Sequence, residues 1–505
     1  MNNKHKFSNL YLGLIPLALG VFVAADDQTV MVTILPEIMK DTHSQITELD
    51  SVSWIITAYL LGYLCVIPFM GSVSDVVGRQ KSFVISMGVF ILGSVLVAIA
   101  PLDWSFIGLN SFDSDFSKIT VNYLVFVRVI QAVGAGALLP IGIASIGDMF
   151  TSSKRAFPMG ILSSAAEAGG VVGPFWGGIF VRFLNWRWTF WSNIPIGFGL
   201  IAISYFLPKY TQKIKQTPID KVGSGVLALF LITTTLVFSQ LGISTSIFLF
   251  CVLVSCILAA ILFWLARNDS NFLIPIDLIK TRGFIWLNLT HFFVGVALII
   301  VMITVPLMAT TILEKNSFEG GLMLLKITLA IPFGAFLAGG LCRVIHYKWV
   351  VLVGLFFTAI GLALMYYWIT GSINPVIPIQ LITTGFGFGV IATPVSVSAI
   401  ELASSTNRGI SASLVTSSRL FGMTVGISAI SSWGSYRFGE LLSNAGVGLS
   451  SLGSMLSTGT GSSEIKEVMV HIGEQLFSEF LLIGIVVLIA GFFSGILINH
   501  NKQEV

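Results

Sequence analysis

Residues 51–100 read SVSWIITAYLLGYLCVIPFMGSVSDVVGRQKSFVISMGVFILGSVLVAIA, and this stretch decides the fold. Two apolar runs, 51–70 and 82–100, flank a short charged turn, Gly71-Ser-Val-Ser-Asp75-Val-Val-Gly78-Arg79-Gln-Lys81. Each run is as long as the roughly 20 residues a helix needs to cross hydrocarbon at about 1.5 Å per residue. Backbone groups in lipid must be bonded within their own segment, so both runs are predicted to be helices. A large barrel would show alternating segments of about ten residues instead. The unit is therefore a transmembrane hairpin.

Working outward, the same pattern recurs along the chain. Further spans are predicted at 10–38, 122–146, 156–181, 189–207, 221–241, 245–266, 283–313, 318–342, 349–370, 375–400, 409–433 and 475–498, fourteen in all with the first two. The first run follows Lys4 and Lys6 as a signal peptide would, but it continues past Asp26 and Asp27 to Pro36 and is read as a span. Composition agrees. The 505 residues are 55% hydrophobic and only 10% charged, with a mean hydropathy of +0.91. A soluble domain usually carries about 25% charged residues, so lipid must be the solvent for most of this surface. The net charge of +3 is scattered over short loops and argues against nucleic-acid binding. Four cysteines fall in apolar stretches without metal-ligand spacing, so no metal site is predicted.

Lys and Arg set the orientation. With the N-terminus inside, 17 basic residues fall on the cytoplasmic side, among them Lys154, Arg155, Lys209, Lys213, Lys215, Arg343 and Arg408, and 7 on the other. That is the positive-inside bias of a plasma-membrane protein with both termini in the cytoplasm. The chain divides into a six-helix bundle at 1–208, a linker with two inserted helices at 209–281, and a second six-helix bundle at 282–505. Two long loops are predicted on the outer side, at 101–121 and at the Ser/Gly-rich 434–474.

Charges inside the membrane are costly and mark function. They are Asp26, Asp27, Arg128, Glu167, Lys326 and Arg419, with His291 as a weaker member. Adjacent residues on a helix lie about 100° apart, so Asp26 and Asp27 cannot enter one narrow cavity equally. Glu167 shares a helical face with Gly170 and Pro174 and is expected to look into protein. Glycines spaced by four, at Gly169, Gly173 and Gly177, put a flat stripe on one helix, with Pro174 and Gly178 beside it.

These motifs resemble the major facilitator superfamily. The turn Gly71, Asp75, Gly78, Arg79, Lys81 is similar to its cytoplasmic gate signature, with Val76 in place of a common basic residue. Arg128-x2-Gln131-x2-Gly134 is similar to its second motif, whose arginine the resemblance implicates in proton transfer. Gly169-x3-Gly173-Pro174-x2-Gly177-Gly178 looks like its antiporter signature. The segment from Asn185 to Gly197 and the Asp27-to-Pro36 segment look like the fourteen-span drug/proton antiporter branch, though Val32 replaces a usual Asn. The resemblance implies an all-α fold of two six-helix bundles plus two extra helices, and a monomer that uses no cofactor. Its expected activity is proton-driven export by alternating access, with Asp27 and Glu167 as coupling acids and Arg128 and Arg419 as their charge partners. A cavity with acidic and aromatic groups would favour lipophilic cations. A specific metabolite, siderophore or lipid is the alternative cargo, and a transport-dead sensor a remoter one. No catalytic constellation or nucleotide-binding loop is found, so the chain is not read as an enzyme.

Overall fold

The computed structural model describes residues 12–42, 44, 49–100, 114–150, 156–205, 220–241, 243–268, 278, 280–313, 315–342, 344–366, 376–402, 408–445 and 463–498. The linker residues 209–219 and the basic residues Lys4, Lys6, Lys154, Arg155, Arg343 and Lys502 lie outside these, as do the side chains of Asp75, Glu167, Arg408 and Lys466.

Fourteen helices account for almost all of the described residues, one for each predicted span. In chain order they are α1 (Leu14–Asp41), α2 (Leu49–Val77), α3 (Arg79–Ala98), α4 (Ser114–Met149), α5 (Ala156–Phe183), α6 (Trp188–Ser204), α7 (Lys221–Ser239), α8 (Thr245–Asn268), α9 (Arg282–Thr311), α10 (Ser317–Leu341), α11 (Tyr347–Met365), α12 (Val376–Glu401), α13 (Arg408–Asn444) and α14 (Ser463–Ile496). Among the described residues, eleven helices are long and apolar enough to cross a membrane. This is an all-helical membrane protein.

Two groups of six helices form the body. In the first, α1 packs on α5 and α4 on both α2 and α3; in the second, α12 packs on α10 and α11, and α9 on α13 and α14. The groups meet along two seams, α5 with α10 and α2 with α13. The inserted α7 lies over the second seam, touching both α2 and α13, while α8 packs chiefly on α7. Large apolar side chains of α8, such as Leu249, Phe250, Phe263 and Trp264, are exposed, as a helix bathed in lipid requires.

α2 continues past its predicted span to Val77, so that most of the charged segment expected as a turn is helix, and α13 and α14 depart further still. α13 runs to Asn444 and α14 starts at Ser463, so much of the loop expected at 434–474 is helix. Hydropathy alone missed these extensions because only one face of each is apolar. Phe438 and Leu442 in the α13 extension and Ile472 in the α14 extension are buried. Arg437 fastens the pair. Its Nε lies 3.0 Å and 3.1 Å from the two Glu479 carboxylate oxygens, and its Nη1 lies 2.8 Å from Glu440. The first long loop also shortens, since α4 begins at Ser114.

At the α5–α6 loop, Trp186 Nε1 donates to Asp41 Oδ2 at 2.8 Å and Arg187 Nη1 approaches the same oxygen at 3.2 Å. Arg187 also reaches the Ala100 carbonyl at the end of α3. The tryptophan-rich segment thus bolts α1, α3 and α6 together at this face. The edge-on ring pair Trp186–Phe190 fills the space beneath.

Candidate functional site

Asp27 sits in mid-α1 and Arg128 in mid-α4, and both side chains are fully buried. Arg128 Nη1 lies 2.5 Å from Asp27 Oδ2, and its Nη2 donates to the Asp27 carbonyl at 3.2 Å. The second carboxylate oxygen accepts from Gln131 Nε2 at 3.0 Å and Asn193 Nδ2 at 3.1 Å. Gln131 also accepts from Arg128 and donates to Ser94 Oγ. The guanidinium carbon stands 3.9 Å from the Tyr59 ring centroid, and the Tyr59 hydroxyl donates to the Ala24 carbonyl at 3.1 Å. Side chains from α1, α2, α3, α4 and α6 therefore converge on one ion pair.

Such a pair is tolerable in oil because both charges are cancelled and hydrogen-bonded; either charge alone would be several kcal/mol worse. Of the two adjacent aspartates, Asp27 is the one that meets the arginine. Asp26 is also buried, and its Oδ1 has no hydrogen-bond partner among the described residues. Tyr59, Ser94 and Asn193 were not marked as site residues by sequence reasoning. Neutral polar side chains are common in membrane helices, so nothing local distinguishes them; Asn193 alone stood inside a quoted motif.

A cavity of about 910 Å³, part of it open to solvent, lies between the two groups of helices. Val294, Leu298, Met302, Leu420 and Met423 give it an apolar wall, and Gln28, Thr29, Tyr63, Thr328 and Thr416 supply hydroxyl and amide groups. Arg419 lines it too, as does His291, whose Nδ1 lies 2.8 Å from the Val415 carbonyl oxygen. The expected acidic lining is not what the described residues present: none of them around the cavity is a carboxylate. Asp27 faces away, toward α4 and α6, while its neighbour Gln28 faces in. The Glu167 side chain lies outside the described residues, and Lys326 is half-buried beyond the lining.

The two groups close on one side of this cavity. Gly178 of α5 lies against the backbone of Phe318 and Gly321 of α10, and Arg182 stands 4.5 Å from the Phe318 ring centroid. These contacts lie nearer the α5–α6 loop than the cavity-lining residues of the same helices.

Residues 17–427 match the family model described as Major Facilitator Superfamily. The chain belongs to that superfamily. Similar relatives are named triacylglyceride transporters. One from Mycolicibacterium hassiacum is 30% identical over 450 residues, covering 84% of this chain and 79% of its own. One from Mycobacterium tuberculosis is 28% identical over 514 residues, covering 96% and 94%. Among solved structures, a bacterial homologue of the human lysosomal transporter Spinster, inward-facing and unoccupied, superposes with a TM-score of 0.66 at 14% identity, covering 97% of this chain and 98% of that one. A D-xylose–proton symporter gives 0.61 at 15% identity, covering 98% and 99%. At those identities the likeness shows the fold alone.

Within this facilitator fold, the α2–α3 turn needs its glycine, because Gly78 adopts φ +97° as it caps α3. Arg79 pairs with Asp148 Oδ2 at 2.8 Å through Nε and hydrogen-bonds Ser74 Oγ. Gln80 Nε2 donates to the Ser204 carbonyl at 2.8 Å. These bonds tie α2, α3, α4 and α6 to each other, all within the first six helices. Asp148 was missed in the sequence because it lies at the far end of α4, 69 residues from its partner. Lys81 is exposed, and the Gly71 and Asp75 side-chain positions lie outside the described residues. Arg79→Ala or Asp148→Ala alone should slow transport several-fold, from a pair worth about 1 kcal/mol at this partial exposure. The double variant should be no slower than either single one. Initial rates in proteoliposomes test this; additive losses would show that the two residues act separately.

The antiporter-type stripe is an interlock between α5 and α1. Gly169 lies against the Phe22 carbonyl and Ala25, Gly173 against Thr29 Oγ1 and the Asp26 carbonyl, and Gly177 against Val30 and Ile34. Gly178 turns the other way, to α10, and the Pro174 carbonyl meets Gly321 there.

Proposed function

We propose that this facilitator is a proton-coupled exporter of neutral, glyceride-class lipids, working by alternating access with the α2–α3 face in the cytoplasm. The observation that carries this reading is the lining of the central cavity. An apolar wall suits acyl chains, hydroxyl and amide groups suit ester oxygens, and Arg419 donates hydrogen bonds to carbonyl groups while repelling a cation. The triacylglyceride transporters among its relatives support the same cargo. Lipophilic cations, favoured on sequence alone, would find no carboxylate among the described lining residues.

The Asp27–Arg128 pair is the proposed coupling element. A proton delivered to Asp27 cancels its charge and leaves Arg128 uncompensated, so the helices around it must rearrange to restore a partner or admit water. Helix α1 carries that change to the cavity through Gln28 and to α5 through the backbone of Asp26. Glu167 and Arg419 are proposed as the second acid and its charge partner.

The test is reconstitution in liposomes with fluorescent triacylglycerol and an imposed pH gradient. Transfer between leaflets should rise severalfold with the gradient and collapse with a protonophore, whereas ethidium should not accumulate. Transfer unaffected by the gradient would remove the coupling, and gradient-driven uptake of ethidium without lipid transfer would replace the cargo.

A further inference from the structure

A second cavity, of about 330 Å³ in part open, lies on the seam between α2 and α13 under the end of α7. Six serines line it: Ser51 and Ser53 from α2, Ser239 from α7, and Ser428, Ser431 and Ser432 from α13, with Trp54, Gln240 and Ile243 completing the wall. The Ser432 hydroxyl is used by the fold, lying 2.9 Å from the Ser239 carbonyl and 2.7 Å from that of Leu241, which fastens α7 to α13. Ser428 and Ser431 differ. They are 4% and 2% exposed, and neither hydroxyl has a hydrogen-bond partner among the described residues.

A buried hydroxyl without a partner is costly, and a helical serine can usually bond the carbonyl four residues back. Two such groups in one cavity point to a ligand that supplies the missing bonds. Among the described residues no charged one lines it, which favours an uncharged ligand rich in hydroxyl or ester oxygens.

Position adds to this. Trp54 is nine residues from Tyr63 on α2, and Ser431 is eight from Met423 on α13, so the serine cavity lies roughly 12–14 Å from the central one, toward the α5–α6 face. Both cavities lie along the same two helices. The serine cavity is also split between the two halves, with Ser51 and Ser53 on one and Ser428 and Ser431 on the other. A ligand bridging them binds one conformation better than the other and biases the exchange between states.

We propose that the serine cavity is a second subsite that takes the glycerol-ester head of the lipid cargo after it leaves the central cavity, a proposal that rests on the lipid reading above. The inserted hairpin α7–α8 supplies its roof.

The experiment uses the full chain in phosphatidylcholine vesicles with a diazirine-bearing diacylglycerol, and maps the labelled peptides by mass spectrometry. Label is expected at residues 51–54, 239–243 and 428–433, displaced by unlabelled diacylglycerol but not by hexadecane. Ser428→Ala/Ser431→Ala should lower it roughly tenfold, the loss of two hydrogen bonds. Its thermal stability should be unchanged or higher, because the hydroxyls removed have no protein partner. Ser432→Ala, which breaks the α7 fastening, should lower stability instead. Absence of label at these peptides, equal displacement by hexadecane, or unchanged label in the double variant would each overturn the subsite. Failure of lipid transfer with the label retained would overturn the transport reading and leave the subsite standing.

Discussion

Asp27→Asn and Arg128→Gln, made singly, should each destabilise the protein by about 3–5 kcal/mol, because each leaves one charge buried without its counter-charge. The double variant should be more stable than the less stable of the two single ones. With both charges gone, amides at positions 27 and 128 can still bond Gln131 and Asn193, which stand 3.0 Å and 3.1 Å from the present carboxylate. Thermal unfolding in detergent gives the stabilities, and a double-mutant cycle isolates the interaction. All three variants should lose gradient-driven lipid transfer, and the double variant should keep downhill exchange. If the two destabilisations simply add, the pair is not the coupled unit described here. If Asp27→Asn transports against a gradient like the wild type, proton coupling lies elsewhere.

The second large effect belongs to the α1–α5 interlock. A methyl group at Gly169 would strike the Phe22 carbonyl, and one at Gly173 would strike Thr29 Oγ1 and lie 2.7 Å from the Asp26 carbonyl. Backbone cannot step aside as a side-chain tip does, so Gly169→Ala and Gly173→Ala must push two helices apart. The cost should reach the upper part of the about 1–3 kcal/mol range for overpacking. Gly170→Ala is the internal control, since among the described residues its methyl would meet only the Thr29 methyl, at 3.9 Å. Expression and melting temperature should fall for Gly169→Ala and Gly173→Ala and hold for Gly170→Ala. Equal behaviour of Gly169→Ala and Gly170→Ala would remove the interlock. Because the Asp26 carbonyl and the Asp27 carboxylate belong to one helical turn, the same two substitutions should disturb the ion pair as well.

All fourteen helices were legible in the sequence because hydrocarbon imposes one length and forbids unpaired backbone. Their ends were legible only where apolar character stops with the helix. The tips of α13 and α14 carry polar residues on one face, and the Arg437–Glu479 contact that joins them spans 42 positions. The ion pair was legible in outline, since a buried arginine requires a carboxylate and few were available. Its neutral partners were not, because Tyr59, Ser94 and Asn193 come from three other helices and only the packing brings them together. The described lining of the central cavity lacks the acid expected from Asp27 for a related reason. A list of ionisable residues does not say which side of a helix each one takes, and the 100° between Asp27 and Gln28 places the acid behind the wall and the amide on it.

That geometry makes the first helix a keyed shaft. Asp26, Asp27 and Gln28 engage three different neighbours: the backbone of the first meets the glycine track of α5, the second holds the arginine of α4, and the third lines the central cavity. Adding or deleting a single residue ahead of them would turn all three out of their slots together, so this stretch can change its side chains over time but not its register. Movement at any one slot must also be felt at the other two, and in the proposed mechanism this is what would link a lone proton mechanically to a lipid that never touches it.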